Sequence, residues 1–184
     1  MSTQGNAPNA VAGGPPSADA PGQPLRPVDL GDFAPGGLLL SAMPGRSGDF
    51  PADLAQMTAH SVSSILCLVE RNELERMAPD YARFCADAPV SPALISHPVP
   101  DLGLPRDVPA YRATINAASQ RLKAGESLLI HCAAGIGRTG MTAIAVLCAL
   151  GMDEHTARAR VAAAGSGPET EEQREFLQEL VRGC

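Results

Sequence analysis

The sequence predicts an α/β fold, with a central and mostly parallel sheet flanked by helices. Two observations support this prediction. Short apolar runs of strand character alternate along the chain with longer stretches of helical periodicity, which is the order that a parallel sheet requires. An apolar fraction of 45% over 184 residues also suffices for one buried core. Because aromatic residues make up only 3% of the chain, aliphatic side chains and alanine must build that core.

Residues 1–27 are rich in Gly, Pro, Ala, Ser and Asn and carry almost no bulky apolar side chains. A segment of this composition buries too little apolar surface to fold, so it is predicted to be a disordered N-terminal tail. Residues 28–184 are predicted to form a single domain, in which regular structure begins at Phe33 or Leu38. No internal repeat is visible in the sequence.

The predicted elements have recognisable boundary signals. Pro44-Gly45 turns the chain after the first strand, and Ala124-Gly125 ends the helix before the last strand. The strands are expected at residues 38–41, 61–69, 93–96 and 127–130. The helices are expected at residues 52–60, 73–86 with a break at Pro79, 108–123, 141–150, 154–164 and 170–182.

A glycine-containing loop joins the last predicted strand to the apolar helix that follows it. From residue 131 to residue 140 it reads His-Cys-Ala-Ala-Gly-Ile-Gly-Arg-Thr-Gly. A strand-to-helix turn brings backbone N–H groups together, and the helix dipole favours an anion there. The spacing of Cys132 and Arg138 lets one tight loop set a thiolate below a bound phosphate and a guanidinium beside it. Gly135 and Gly137 suit the positive-φ or crowded positions of such a loop. The residues expected to bind phosphate are Ala133, Ala134, Gly135, Ile136, Gly137 and Arg138.

This loop resembles the signature of the cysteine-dependent protein tyrosine phosphatase superfamily, H-C-x-x-G-x-x-R-[ST]. Every signature position is matched, by His131, Cys132, Gly135, Arg138 and Thr139. The resemblance implies a cysteine phosphatase fold and hydrolysis of phosphate monoesters through a phosphocysteine intermediate on Cys132. It also implies that Arg138 holds two phosphate oxygens. The resemblance further implies that His131 orders the loop from behind, and that Thr139 hydrogen-bonds the sulfur and eases its departure.

A second loop lies between the strand at 93–96 and the helix at 108–123. Asp101 lies there, about thirty residues before Cys132, between Pro100 and Pro105 and with Gly103 as a hinge. The loop is similar to the general-acid loop of the superfamily. This implies that Asp101 protonates the leaving oxygen and then, as a base, activates water. Pro-Asp-x-Gly is also an ordinary turn sequence, so the residues alone leave both interpretations open.

The last predicted helix begins with Thr170 and has Gln173 three residues later, which is the pattern of a capping box. Several dual-specificity phosphatases carry a similar Thr-x-x-Gln, in which the glutamine lies near the hydrolytic water. This resemblance adds Gln173 to the candidate catalytic residues, although helix capping alone also explains its presence.

Two further segments extend the resemblance. Residues 41–46 and 68–74 are similar to corresponding segments of compact dual-specificity phosphatases, the type represented by the cyclin-dependent kinase-associated phosphatase. The resemblance covers roughly residues 38–180. It implies that residues 28–184 are one phosphatase catalytic domain.

The variable positions of the cysteine loop indicate the substrate class, since all of them are neutral: Ala133, Ala134, Ile136 and Gly137. Phosphoinositide phosphatases of the superfamily tend to carry basic residues there. The resemblance therefore favours phosphotyrosine, with or without phosphoserine and phosphothreonine. The main alternative is a small-molecule phosphatase that acts on inositol phosphates or nucleotides. A phospho-binding module would need a lost nucleophile or acid. A rhodanese-type sulfurtransferase would leave Arg138, Thr139 and Asp101 unexplained.

Composition excludes several other classes of protein. A formal charge of −6 and a pI of about 5.1 argue against a nucleic-acid surface. No apolar run approaches the roughly twenty residues of a membrane span, and the N-terminus lacks the pattern of a signal peptide. The resemblance implies that the partner is a phosphorylated protein or a small phosphomonoester. The oligomeric state is not predicted.

The cysteines and histidines follow no metal-binding pattern. Five cysteines are scattered along the chain without paired spacing, which indicates a reducing cytoplasm rather than a disulfide framework or a zinc site. The four histidines are dispersed. The expected mechanism accordingly needs no metal and no cofactor. Arginine greatly outnumbers lysine and alanine is abundant, a composition that is typical of a GC-rich bacterial genome.

Overall fold

The computed structural model describes residues 24–47, 49–87 and 91–182. Its sheet has the strand order β1-β2-β5-β3-β4. β1 runs antiparallel to β2, and all other neighbouring strands are parallel, so the predicted fold class is confirmed. The strands are β1 (Arg26–Val28), β2 (Gly37–Ser41), β3 (Ser64–Cys67), β4 (Ala93–Ser96) and β5 (Ser127–His131).

The described residues also form seven helices. They are α1 (Phe50–Ala59), α2 (Arg71–Met77), α3 (Pro79–Ala86), α4 (Val108–Lys123), α5 (Gly137–Ala149), α6 (Glu154–Ala163) and α7 (Glu171–Val181). The predicted break at Pro79 is confirmed, because this proline begins α3 and separates it from α2. None of the helices in the described ranges is long and apolar enough to cross a membrane.

Alternating residues of the central strands fill two cores, one on each face of the sheet. Leu128 and Ile130 of β5 face the larger core, which the helices from α4 to α7 cover, and Leu129 faces the smaller core with Met57 of α1. α5 lies at the centre of the larger core. It packs against α4, α6 and α7, and its residues from Gly137 to Cys148 are all buried. A helix enclosed in this way holds its N-terminus in a fixed position against β5.

Three predicted elements have a boundary that is wrong by more than two residues. Regular structure begins at β1 and not at Phe33 or Leu38. The strand expected at 61–69 is limited to Ser64–Cys67, and the helix expected at 141–150 already begins at Gly137, so that Arg138 lies in its first turn. Of the tail predicted over residues 1–27, residues 1–23 lie outside the described residues. Its last two residues, Arg26 and Pro27, belong to β1.

The carboxyl ends of three parallel strands meet at one point of the sheet edge. His131, the last residue of β5, pairs with Ser41 of β2 on one side and with Cys67 of β3 on the other. The loop that begins at Cys132 therefore leaves the sheet between two neighbouring strands, at the edge where open α/β sheets bind their ligands.

Candidate active site

Cys132 lies at the bottom of the loop between β5 and α5, which we call the catalytic loop (residues 132–138). The residue is 2% exposed, and its sulfur accepts a hydrogen bond of 3.3 Å from the amide of Gly135. Gly135 has a φ of 72°, and a Cβ atom there would lie 2.2 Å from the carbonyl oxygen of Ser41. Only glycine fits this position, which explains why the loop can fold so tightly over β2.

Backbone amides of the catalytic loop are available for an anion. Within the described residues, the amides of Ala133, Ala134 and Ile136 donate to no protein group. Ile136 is also the N-cap of α5, and its side chain makes no capping hydrogen bond. Unpaired amides at a helix N-terminus attract an anion through both their hydrogen bonds and the helix dipole. The arrangement is therefore suited to a phosphate group.

The guanidinium of Arg138 is buried, 2% exposed, and two carboxylates hold it. Nη1 and Nη2 donate to the two oxygens of Glu73 at 2.9 and 3.0 Å. Nη2 also donates to Asp101 Oδ1 at 2.8 Å, and Nη1 to the carbonyl oxygen of Val99 at 3.0 Å. Burial alone would lower the pKa of Arg138, but Glu73, Cys132 and Asp101 together raise it. The guanidinium therefore stays charged and has a fixed orientation.

Asp101 reaches Arg138 from an exposed turn. Its side chain is 68% exposed, against 11% for Glu73. The amide of Gly103 donates to the carbonyl oxygen of Pro100 at 3.0 Å, which closes the turn around Asp101. Leu102 follows with a φ of 56°, a conformation that a non-glycine residue adopts at a cost of order 1 kcal/mol. The predicted acid loop thus brings its carboxylate to the predicted phosphate-binding arginine.

His131 lies beneath the loop and is completely buried. Burial and, to a lesser extent, the charge of Arg138 lower its pKa to about 4, although the bond to the Cys132 backbone opposes the shift, so the imidazole is neutral at pH 7. Its Nδ1 lies 3.3 Å from the carbonyl oxygen of Cys132, and its Nε2 lies 2.7 Å from the hydroxyl of Tyr81. A carbonyl oxygen can only accept, so Nδ1 carries the proton and Tyr81 donates to Nε2.

Gln173 connects the acid loop to the segment that precedes α7. The side chain is completely buried. Its Nε2 donates to the carbonyl oxygen of Gly103 at 3.2 Å, and its Oε1 accepts from the amide of Glu169 at 3.0 Å. One half of the predicted capping box is present, since the amide of Gln173 donates to Thr170 Oγ1 at 3.1 Å. The side chain itself contacts Gly103 and Glu169 instead of completing the box.

Thr139 does not form its expected contact with the sulfur of Cys132. Its hydroxyl is buried and has no hydrogen-bond partner in the described part of the chain, Cys132 included. A buried hydroxyl without a partner is unfavourable, so it is available to a partner that arrives during a reaction. Groups of three or more side chains placed to hold a metal ion are absent from the described ranges.

Comparison with known proteins supplies the family. A model described as "Tyrosine phosphatase family" matches residues 52–177, which include the acid loop, the catalytic loop and most of α7. The chain belongs to the tyrosine phosphatase family. The predicted resemblance and the predicted enzyme class, a protein-tyrosine or dual-specificity phosphatase, are thereby confirmed. A search of curated proteins finds no match.

Solved phosphatase structures share the fold. Kinase associated phosphatase, with its catalytic-site cysteine replaced by serine, has a TM-score of 0.71 at 21% identity over 85% of this chain and 93% of its own. Tk-PTP in its active form has a TM-score of 0.64 at 24% identity, over 86% and 98%. Human DUSP28 has a TM-score of 0.61 at 19% identity, over 87% and 95%.

Several residues around the phosphatase site were not identified from the sequence. Glu73 lies within the segment 68–74 that resembles dual-specificity phosphatases, but its carboxylate was given no role. Glu169 accepts a 2.8 Å hydrogen bond from the amide of Gly137, and Tyr81 supports His131. Arg26 belongs to the segment predicted as a tail. For these residues the sequence offered one usable signal, which was the position of Glu73 within the segment 68–74.

Proposed function

We propose that the protein is a cysteine-dependent phosphatase that hydrolyses phosphotyrosine monoesters, with or without phosphoserine and phosphothreonine, through a phosphocysteine intermediate. One observation carries this proposal. Cys132 lies beneath amides that have no partner among the described residues, and beside Arg138, whose second carboxylate partner, Asp101, is exposed and can be displaced. Such a site can bind a phosphate, attack it and protonate its leaving group.

Binding of a substrate phosphate would rearrange the bonds of Arg138. Both Nη1 and Nη2 already make two hydrogen bonds each, to Glu73, Val99 and Asp101. A phosphate can therefore use Nε together with Nη2, provided that Asp101 gives up its bond. The displaced carboxyl then lies next to a dianion, which favours its protonated form. The substrate itself would thus convert Asp101 into the general acid.

In the first chemical step, the thiolate of Cys132 attacks phosphorus opposite the leaving oxygen. The S–P bond forms, the P–O bond breaks, and Asp101 gives its proton to the leaving oxygen. The amides of the catalytic loop and Arg138 stabilise the charge on the remaining phosphate oxygens. His131 stays neutral and orders the loop from below, as the family resemblance implies.

In the second step, water attacks the phosphocysteine. Asp101 now takes a proton from this water, the S–P bond breaks, and the sulfur leaves as a thiolate. The unpaired hydroxyl of Thr139 is suited to donate to the departing sulfur. Gln173 donates from Nε2 to Gly103, and its second Nε2 hydrogen is suited to orient the water.

The charges around the loop favour substrates with a single phosphate. Near the loop, Arg26 donates from both Nη1 and Nη2 to carbonyl oxygens, so neither group is free to bind a further phosphate. The Glu169 carboxylate beside the amide of Gly137 opposes a second negative group. These charges support phosphotyrosine over inositol phosphates and nucleotides.

Since the mechanism needs a free thiolate, we also propose that the enzyme works in a reducing cytoplasm, and the composition favours a bacterial source.

The test is hydrolysis of p-nitrophenyl phosphate by freshly reduced enzyme in the presence of EDTA. We expect turnover by the wild type and none by Cys132→Ser, with the same melting temperature for both. Turnover by Cys132→Ser would contradict the proposal. An inactive wild type would also contradict it, and thiosulfate would then be tried as a sulfurtransferase substrate.

Substrate class is tested by comparing kcat/KM for tyrosine phosphopeptides, serine and threonine phosphopeptides, inositol phosphates and nucleoside monophosphates. We expect the tyrosine phosphopeptides to be hydrolysed most efficiently. A higher kcat/KM for inositol phosphates or nucleotides would identify a small-molecule phosphatase and contradict the substrate assignment, but not the chemistry.

A further inference from the structure

Carbonyl oxygens of the catalytic loop accept hydrogen bonds from outside the loop. Arg46 Nη1 donates to the oxygen of Ala133 at 2.8 Å, and Arg26 Nη2 donates to the oxygen of Gly135 at 2.5 Å. In a trans peptide the C=O of one residue and the N–H of the next point in opposite directions. Each held carbonyl therefore turns the following N–H, of Ala134 and of Ile136, towards the other side of the loop.

The amides turned in this way are among those that have no protein partner within the described ranges. The amide that follows Ala133 belongs to Ala134, and the amide that follows Gly135 belongs to Ile136. The orientation of these two donors thus depends on Arg26 and Arg46. The Ser166 hydroxyl and the Met43 amide assist them, since they donate to the oxygens of Gly135 and Ala133 at 3.2 Å each. The nitrogens that donate to these carbonyl oxygens, Arg46 Nη1 and Arg26 Nη2, are not available to bind the phosphate.

Arg26 has more contacts with the loop region than Arg46. Besides Gly135, it donates from Nη1 to the carbonyl oxygen of Gly165 at 2.7 Å, so it joins the catalytic loop to the segment between α6 and α7. Burial lowers the pKa of Arg26, whereas a negative charge on Cys132 raises it. The guanidinium is linked to the sulfur through Gly135, whose carbonyl oxygen accepts from Arg26 and whose amide donates to Cys132 Sγ at 3.3 Å.

The short strand β1 determines the position of Arg26. This strand has only three residues, is the antiparallel member of the sheet and pairs Arg26 with Leu40, one residue before the end of β2. The end of β2 contacts the catalytic loop, since Ser41 O limits the space at Gly135. Pairing with β2 therefore delivers the guanidinium to the outer side of the loop.

We propose that Arg26 is a positioning residue of the phosphatase, which holds the Gly135–Ile136 peptide with its N–H towards the substrate phosphate and adds positive charge near the thiolate. This inference rests on the proposed function. It assigns two separable effects to one side chain. The geometric effect needs the guanidinium fork, which holds two carbonyl oxygens, whereas the electrostatic effect needs only a positive charge.

The experiment compares Arg26→Gln and Arg26→Lys with the matched control Arg160→Gln. Arg160 donates to the carbonyl oxygen of Asp29 at 2.8 Å and so holds the end of the same edge segment, but it makes no hydrogen bond to the catalytic loop. Three quantities are measured in the full chain. They are kcat/KM for p-nitrophenyl phosphate, the affinity for inorganic phosphate in a Cys132→Ser background, and the rate of Cys132 alkylation by iodoacetamide at several pH values.

For Arg26→Gln we expect kcat/KM to fall on the order of 100-fold, as for loss of one oxyanion donor. Phosphate affinity should fall as well, and alkylation should slow near neutral pH. Arg26→Lys should restore the alkylation rate but not the phosphate affinity. Arg160→Gln should change none of the three quantities, even if the melting temperature falls slightly.

Results of two kinds would overturn the role of Arg26, concerning either the control variant or the phosphate affinity. One is equal losses in Arg26→Gln and Arg160→Gln, which would mean that Arg26 only docks β1. The other is an unchanged phosphate affinity in Arg26→Gln, or full recovery of that affinity in Arg26→Lys. Failure of the proposed function looks different, because the wild type itself would then not hydrolyse p-nitrophenyl phosphate.

Discussion

Arg138 binds two carboxylates that differ in their exposure to solvent. The side chain of Glu73 is 11% exposed and binds the guanidinium through both oxygens, whereas that of Asp101 is 68% exposed and binds through one. An exposed ion pair contributes about 1 kcal/mol or less, but breaking a buried pair costs several kcal/mol. The same arginine therefore has one permanent partner and one that a substrate can displace.

This difference extends to the whole site. We call Glu73, Tyr81 and His131 the floor, because all three are buried beneath the catalytic loop, and Asp101 and Glu169 the rim, because both are exposed. The floor fixes geometry, so changes there should reduce stability as well as activity. The rim carries out chemistry or selects ligands, so changes there should alter kinetics and leave stability nearly unchanged.

The largest expected effect is that of Asp101→Asn at the rim. The variant keeps the shape of the side chain but cannot donate or accept the proton, so kcat should fall by roughly 10²- to 10⁴-fold. Alkyl phosphates should lose more activity than aryl phosphates, because an alkoxide is the poorer leaving group. Steady-state kinetics with both substrates check this, together with the melting temperature, which should not change. Equal losses for both substrates would contradict the general-acid role.

Glu73→Gln, on the floor, should instead destabilise the fold. It leaves the buried guanidinium of Arg138 without its main counter-charge, and we expect the free energy of unfolding to fall by about 3–5 kcal/mol. Glu75→Gln on the same helix is the matched control, since Glu75 pairs with Arg71 at the surface. The control should change stability by about 0.5 kcal/mol or less. Denaturant unfolding measures both, and equal stability of the two variants would contradict the floor assignment.

His131 predicts how the stability of the floor depends on pH. Its pKa is about 4 in the folded protein, against an ordinary value of 6.5. Between these values the unfolded chain binds the proton and the folded chain does not. The stabilisation is complete above pH 6.5 and is lost as the pH falls to 4, by about 3 kcal/mol in all.

This loss is measured as the difference in unfolding free energy between pH 7 and pH 4.5. The same difference in His131→Gln should be smaller, because the variant has no titrating group at this position. His60→Gln is the control at an exposed histidine and should behave like the wild type. Identical pH dependence in all three proteins would show that His131 titrates normally.

The smallest expected effect is that of Glu169→Gln at the rim. Removal of its charge from the amide of Gly137 should strengthen inhibition by inorganic phosphate by about 2- to 5-fold, because the repulsion is screened by solvent. Glu172→Gln in the same acidic stretch is the control and should leave the inhibition constant unchanged. Weaker phosphate inhibition in Glu169→Gln would mean that the carboxylate supports the loop rather than competing with the ligand.

The sequence was informative where structure depends on contiguous residues. α4 and β4 have the predicted bounds. Helix α4 has local signals, an N-cap at Asp107 and Ala124-Gly125 after its end. The catalytic loop was predictable for the same reason, since Cys132, Gly135 and Arg138 follow one another within a few residues. Asp101 required the family resemblance, because nothing local separates a catalytic aspartate from a turn residue.

Contacts between distant segments were not predictable. Glu73 and Arg138 are 65 positions apart, and Arg26 and Gly135 are 109 apart, so no local pattern joins them. β1 was missed because it has three residues, with a proline in the middle, next to a segment of low apolar content. It is stabilised by pairing with β2 rather than by its own propensity.

The most direct test of the central claim is to trap the covalent intermediate. Asp101→Asn should still attack p-nitrophenyl phosphate, whose leaving group needs little protonation, but should hydrolyse the phosphocysteine slowly. After rapid acid quenching, peptide mass analysis should find phosphate on Cys132, and none in the Asp101→Asn, Cys132→Ser double variant. Phosphate on another residue, or continued turnover by the double variant, would contradict a mechanism based on Cys132.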